Sequence, residues 1–330
     1  MKLLETEIKK IGVFRALQLG DMLCTIPAIR ALRQAYPHAQ ILLLGLPWAK
    51  SFTERFDHYF DGFIRFPGYP GLPEQGFDPE QFYQFTGDMQ QQKFDLILQM
   101  QGNGSLVNPM LELFGAKYLA GFKTEGHYAP DIGLFLPYPD HGSEIERHLA
   151  LMDHLGIESL GTELEFPIME CDEEELSRLK LPIEAQRYIC VHPGSRGSWR
   201  QWPTAYFAAL ADFCIEQGYQ AVITGTKDET EIVDSVISQM KNPPINTAGQ
   251  TSLGAAGALI RDAALLISNC TGVSHIAAAF KTPSVVISMD GEPHRWGPLD
   301  HDRHRTINWL RSPDFHLVFR ETVDLIQQGD

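Results

Sequence analysis

The sequence predicts an α/β protein made of two Rossmann-like halves, each built on a parallel sheet, and three observations carry that prediction. Short apolar runs alternate with helical patterns in the order of βα units, in the first half and again in the second. The alternation lapses between residues 156 and 181 and then restarts. A chain of 330 residues also exceeds one ordinary core and suits two domains of about 150 residues.

Lys10–Arg15 reads as the first strand, and Ala16–Asp21 as a loop carrying Gly20. In the helical stretch Met22–Tyr36, Leu23, Ile26, Ile29, Leu32 and Tyr36 fall on one side, as a helix laid on a sheet requires. Pro27 near its beginning predicts a displaced start or a kink, Pro37 ends it, and Gln40–Gly45 is the second strand. Phe63–Phe66 and Asp95–Gln101 read as further strands. Between them Pro67–Gln92, rich in Gly, Pro, Gln and aromatics, reads as a long irregular segment of the kind that is more often functional than idle. Gly102-Asn103-Gly104 opens another helix without completing a G-x-G-x-x-G fingerprint. Tyr118–Phe122 is short and apolar, and Ser143–Leu155 is an amphipathic helix. The junction is expected near residue 170, dividing the chain into 1–170 and 171–330, with Asp172–Lys180 a solvated acidic helix.

The second half runs strand Tyr188–Val191, loop His192–Pro203, helix Thr204–Gln217, strand Gln220–Gly225, helix Lys227–Met240 and helix Leu253–Asp262. Ala264–Ser288 is then a βαβ unit: a buried strand Leu265–Ser268, the turn Asn269–Gly272, a short helix and a strand Ser284–Ser288. Phe315, Val318, Phe319, Thr322, Val323 and Ile326 repeat at helical spacing. This terminal helix, about 313–328, is expected to lay its apolar stripe back on the N-terminal domain.

A formal net charge of −15 repels nucleic acid and anionic lipid, so any anion site has to be a local basic pocket. Five scattered cysteines without a C-x-x-C pair argue against a disulfide framework or a zinc site and for a reducing compartment. The N-terminus lacks an apolar signal core and no apolar run reaches about 18 residues, which reads as a soluble, cytoplasmic chain.

Two loops carry the chemistry. The turn before the short helix of the βαβ unit lies where open α/β sheets bind ligands. Thr271 can cap that helix, Gly272 admits a ligand to the backbone, and the helix's free N–H groups favour a phosphate. His275, four residues on, can face the same ligand; a capped turn with a core histidine fits the stretch equally. The loop His192–Trp202 places Gly194 and Ser195 at a strand end, followed by Arg196 and Arg200, whose guanidinium groups suit phosphate oxygens. Trp199 and Trp202 read as packing residues. Together the loops predict a ligand held in the cleft between the halves.

Three motifs, in order along nearly the whole chain, resemble the family 9 glycosyltransferases, the lipopolysaccharide heptosyltransferase family. They are Arg15–Asp21 with the following Ile-Pro-Ala-Ile-Arg-Ala-Leu, His192–Pro203 ending in Trp-Pro, and Asn269–Ala279. The resemblance implies a GT-B fold, a nucleoside-diphosphate sugar donor such as ADP-heptose as substrate and a glycan or glycolipid acceptor. It implies inverting transfer with no metal or other cofactor, no nucleic-acid partner, no transmembrane segment and at most peripheral association with the inner membrane. The chain is expected to lack an Asp-x-Asp motif, in agreement with metal-free transfer.

By position, the resemblance makes Asp21 the general base, with Gly20 and Gln18 on the acceptor side; a helix cap is the alternative role of Asp21. Arg200 falls where the family has a lysine that stabilises the leaving diphosphate, and Gly194, Ser195, Arg196, Thr271, Gly272 and His275 fall on the donor side. Glu229 matches an acidic residue for ribose hydroxyls, or else is a charge at a helix start. Cys270 in place of an aspartate, Arg200 in place of the lysine and Leu17-Gln18 in place of a serine pair leave the donor sugar open. The rival readings are a nucleotide-sugar epimerase or hydrolase of the same fold and a non-catalytic nucleotide-sugar binder.

Overall fold

Each half of the chain folds onto its own six-stranded, all-parallel sheet. The computed structural model describes residues 7–130 and 132–329, so the first six residues of the N-terminal stretch considered above lie outside the described residues. The first sheet comprises β1 (Lys10–Phe14), β2 (Gln40–Gly45), β3 (Gly62–Arg65), β4 (Leu96–Gln99), β5 (Tyr118–Lys123) and β6 (Phe135–Pro137), ordered β3-β2-β1-β4-β5-β6. The second comprises β7 (Tyr188–His192), β8 (Gln220–Ile223), β9 (Ile245–Asn246), β10 (Leu265–Asn269), β11 (Ser284–Ser288) and β12 (His304–Asn308), ordered β12-β11-β10-β7-β8-β9. The two orders are the same when each is counted from its own first strand.

This order fixes where a ligand can bind. The chain leaves the first strand of each sheet to one side and returns on the other, so β1/β4 and β7/β10 are the points where strand order reverses. Helices that cover a parallel sheet diverge there and leave a crevice beyond the carboxyl ends of the strands. The segment after β1 carries Asp21, and those after β7 and β10 carry Ser195 and Thr271. The central strands are buried on both faces, which accounts for their unbroken apolar runs: Leu265, Leu266 and Ile267, for example, have no exposed surface.

Two expectations are corrected. The helix expected over Met22–Tyr36 is two helices, Leu19–Leu23 and Ile26–Ala35, with Pro27 in the first turn of the second. A proline there costs no hydrogen bond, because the first N–H groups of a helix have no intrahelical acceptor. The segment Pro67–Gln92 is only partly irregular, since Pro79–Gln92 is a helix capped by the Asp78 carboxylate, which accepts from the N–H groups of Glu80 and Gln81.

The chain divides into compact units Met1–Glu163 and Leu164–Asp330. Leu164 and Phe166 are buried, and the Phe166 ring occupies the space a side chain at Gly257 would need. The terminal helix, Phe315–Gly329, contributes its apolar stripe to the core of its own unit. Val318, Leu325 and Ile326 belong to the core that contains Phe207, Leu210, Ile267 and Ile287. Burying this stripe against the sheet gives the helix its position.

Candidate functional site

In the second unit, the side chain of Asn269 joins the two predicted loops. It is fully buried at the end of β10; its Oδ1 accepts the Trp202 N–H at 2.9 Å, and its Nδ2 donates to the carbonyls of Pro193 and Gly194 at 2.7 and 3.2 Å. Asn269→Ala would strand the buried Trp202 N–H and the Pro193 carbonyl, and is expected to cost about 2–4 kcal/mol of stability, the combined effect of lost bonds and unpaired groups. Urea unfolding measures it; an unchanged midpoint would mean the loops are held by other contacts.

Beside this tether, Gly194 is buried and faces Glu229, whose carboxylate would collide with any side chain there. Glu229 Oε2 accepts from the N–H and the hydroxyl of Thr226 at 2.8 and 2.9 Å, so the residue does cap its own turn. The same oxygen lies 3.7 Å from Nε2 of His192, a ring whose pKa is pushed down by burial against the upward pull of Glu229. Ser195 is nearly buried, and Arg196 is exposed at the loop.

Thr271 occupies the N-cap of the helix Gly272–Phe280, but its side chain makes no capping hydrogen bond, contrary to expectation. Its carbonyl accepts the Ser274 hydroxyl at 2.7 Å, which fixes the turn from within. Cys270 packs behind this turn, with Sγ 3.5 Å from the Trp296 carbonyl oxygen, and burial pushes its thiol up to about 12. It is therefore a neutral filler. His275 is buried too and is held neutral, its pKa lowered to about 4 first by burial and then by His304; His304 is likewise lowered to about 4 by burial.

These two histidines make a pH prediction. Their folded pKa values lie below the unfolded value of about 6.5, so the unfolded chain takes up protons first as the pH falls. Their contribution to stability is complete above about 6.5 and is lost as the pH falls from there toward about 4. The urea midpoint should drop between pH 7 and pH 5 and drop less in His304→Gln; equal midpoints at both pH values in the parent would show that the rings are not buried neutral.

Arg200 ends the turn Ser198–Arg200 and is ion-paired with Asp290, beyond the end of β11. Burial alone would raise the Asp290 pKa, but the Ser288 hydroxyl (2.7 Å), the Glu292 N–H (3.1 Å) and Arg200 outweigh it and hold the carboxyl low. Trp202 is the packing residue expected, but Trp199 is 66% exposed, with the Arg200 guanidinium 5.5 Å from its ring centre. A cation over an aromatic face compensates in part for an exposed ring. The expectation that the chain lacks an Asp-x-Asp motif is corrected, since Asp300-His301-Asp302 is such a triplet; it forms the turn before β12, at the opposite end of the sheet from these loops.

In the first unit, Asp21 lies within the helical turn Leu19–Leu23 rather than in a loop, next to Gly20 and after Gln18, the residue preceding the turn. Its Oδ2 accepts from the Gln18 N–H at a long 3.3 Å, so part of the capping role is real. Its Oδ1 lies 3.8 Å from Nη2 of the buried Arg15. Burial raises the Asp21 pKa more than Arg15 and the backbone hydrogen bonds lower it, and Glu144 adds to the rise. A carboxylate raised in this way is a better proton acceptor than an ordinary surface aspartate. Reasoning from sequence assigned no role to Arg15, Glu144, Asn269 or Asp290, although Arg15 and Asn269 open two of its motifs and Asp290 lies just past a strand end.

With this geometry in place, comparison with known proteins is decisive. Residues 83–321 match the sequence profile of glycosyltransferase family 9 (heptosyltransferase). The chain belongs to glycosyltransferase family 9. It is 28% identical over 291 residues to lipopolysaccharide heptosyltransferase 3 of Escherichia coli K12, covering 82% of this chain and 79% of that one. It is 25% identical over 297 residues to lipooligosaccharide heptosyltransferase 2 of Haemophilus ducreyi, covering 86% and 83%. The crystal structure of a family 9 glycosyl transferase from Veillonella parvula superposes with a TM-score of 0.80 at 20% identity, over 99% of each chain. The two parallel-sheet units of this family 9 member are those of the GT-B fold. Among the described residues of this glycosyltransferase, no helix is long and apolar enough to cross a membrane.

Proposed function

We propose that this family 9 member is an inverting heptosyltransferase-type enzyme that moves a sugar from a nucleoside diphosphate, ADP-heptose being the first donor to try, to a lipopolysaccharide acceptor. One observation supports this reading above the others. The second unit gathers at its strand-order reversal a Gly-Ser loop, the Arg200 guanidinium and a helix start whose N-cap side chain makes no capping bond. That combination suits a diphosphate.

In this reading the second unit holds the donor through Gly194, Ser195, Arg196, Thr271 and Gly272, with Glu229 near the ribose and the neutral His275 supporting the helix start. The first unit serves the acceptor, with Gln18 and Gly20 flanking Asp21. Asp21 takes the proton from the acceptor hydroxyl as that oxygen bonds to the anomeric carbon. The bond from that carbon to the diphosphate breaks, and Arg200, Arg196 and the helix N–H groups stabilise the charge left on the departing phosphate. Five free cysteines, four of them buried, support work in the cytoplasm.

Incubation with ADP-heptose and a heptose-deficient lipopolysaccharide core tests the proposal. Release of ADP that requires the acceptor, with a matching mass gain on it, is the expected result. Release without acceptor would make the protein a hydrolase, and binding without release would make it a non-catalytic binder.

A further inference from the structure

Arg15 is shared between two carboxylates. Its side chain is wholly buried; Nε donates to the Asp21 carbonyl at 2.9 Å and Nη1 donates to the carbonyl of Met100. Nη2 is left facing Glu144 Oε1 at 3.3 Å and Asp21 Oδ1 at 3.8 Å. Glu144 opens the helix Glu144–His154 and is itself buried, with its second oxygen 3.7 Å from Arg147 and its first 3.5 Å from His148. Arg147 is also engaged by the Tyr138 hydroxyl and the His141 carbonyl. The charged groups around Asp21 are thus Arg15 from the end of β1 and Glu144 from this helix, with Arg147 and His148 one step behind.

We propose that Glu144 is a positioning residue for transfer: by drawing the Arg15 guanidinium to itself, it keeps that charge from pairing fully with Asp21 and so preserves Asp21 as a base. The proposal rests on the assignment of Asp21 as the base. The physical argument is one of competition. A lone arginine beside an aspartate favours the carboxylate and weakens it as a proton acceptor, whereas a second carboxylate, nearer to the same arginine, cancels most of that pull and adds its own negative charge. The upward displacement of the Asp21 pKa, to which Glu144 contributes, agrees in sign.

Glu144→Gln tests this, with Glu144→Asp, which keeps the charge but withdraws it by one methylene, as a second variant in case the first fails to fold. Two readouts are needed: the Asp21 carboxyl titration by 13C NMR, assigned by its loss in Asp21→Asn, and the pH dependence of kcat. In Glu144→Gln the Asp21 titration and the acidic limb of kcat should both move down by about one unit, the low end of what an uncompensated opposite charge produces. Glu144→Asp should give a smaller shift of the same sign. An Asp21 titration unmoved in both variants overturns the proposal, as does a loss of rate without any change in the pH profile. If the NMR titration moves while the kcat limb stays and Asp21→Asn transfers at the parent rate, the base assignment has failed, and the catalytic role of Glu144 falls with it.

Discussion

Replacing Asp21 by Asn is expected to lower kcat by about 10²–10⁴-fold, the usual share of general base catalysis, while leaving folding and donor affinity nearly unchanged. The structure sharpens this expectation. Asn can still accept from the Gln18 N–H through its amide oxygen, so the partial cap at the start of Leu19–Leu23 survives. The contact of Arg15 Nε is with the Asp21 backbone carbonyl and is independent of the side chain. The charge of Arg15 remains balanced by Glu144. What the variant loses is the capacity to accept a proton. Donor titration and steady-state transfer on one preparation separate the outcomes: the parent rate would leave Asp21 as a cap alone, and joint loss of stability and donor binding would make it structural.

Much of this architecture was legible in the sequence because a strand buried on both faces needs an unbroken apolar run. The central strands β1, β2, β4, β7, β10 and β11 announce themselves in that way. Three strands did not: β6 has three residues, β9 has two, and β12 reads His-Arg-Thr-Ile-Asn. All three are sheet edges, where one side is unpaired and short or polar strands suffice. The helix Pro79–Gln92 was hidden for a related reason, since only Phe85 and Met89 on it are buried. Its Asp78-Pro79 start was nevertheless a readable signal, a capping carboxylate followed by a proline that needs no hydrogen bond.

The site divides along the same line. Loops that follow a strand in sequence, such as Gly194–Arg196 and Thr271–Gly272, are local features and could be seen. Arg15 and Glu144 stand 129 residues apart, and nothing in either neighbourhood says that they meet. Arg200 and Asp290 are 90 apart. Local pattern finds the groups that face a ligand; it does not find the buried counter-charges that set their chemistry.

That counter-charge shapes the last expectation. Arg200→Ala should weaken nucleoside-diphosphate binding by about 2–5 kcal/mol, roughly 30- to 5,000-fold, and slow transfer. Two effects contribute: the diphosphate loses a fork of hydrogen bonds, and Asp290, whose side chain is 8% exposed, is left as an unpaired negative charge beside the phosphate loops. A second variant separates them. Asp290→Asn added to Arg200→Ala removes the stranded charge while keeping an acceptor for the Ser288 hydroxyl and the Glu292 N–H. The double variant should regain the stability lost in Arg200→Ala and recover part of the affinity, but it should still bind ADP more weakly than the parent, because the guanidinium is missing from the phosphate. Arg200→Lys should fall between, with a charge but no fork. ADP titration calorimetry and urea unfolding on all four proteins measure this. Full recovery of ADP affinity in the double variant would show that Arg200 serves only to neutralise Asp290, and the diphosphate would then have to be held by Arg196 and the helix start at Gly272 alone.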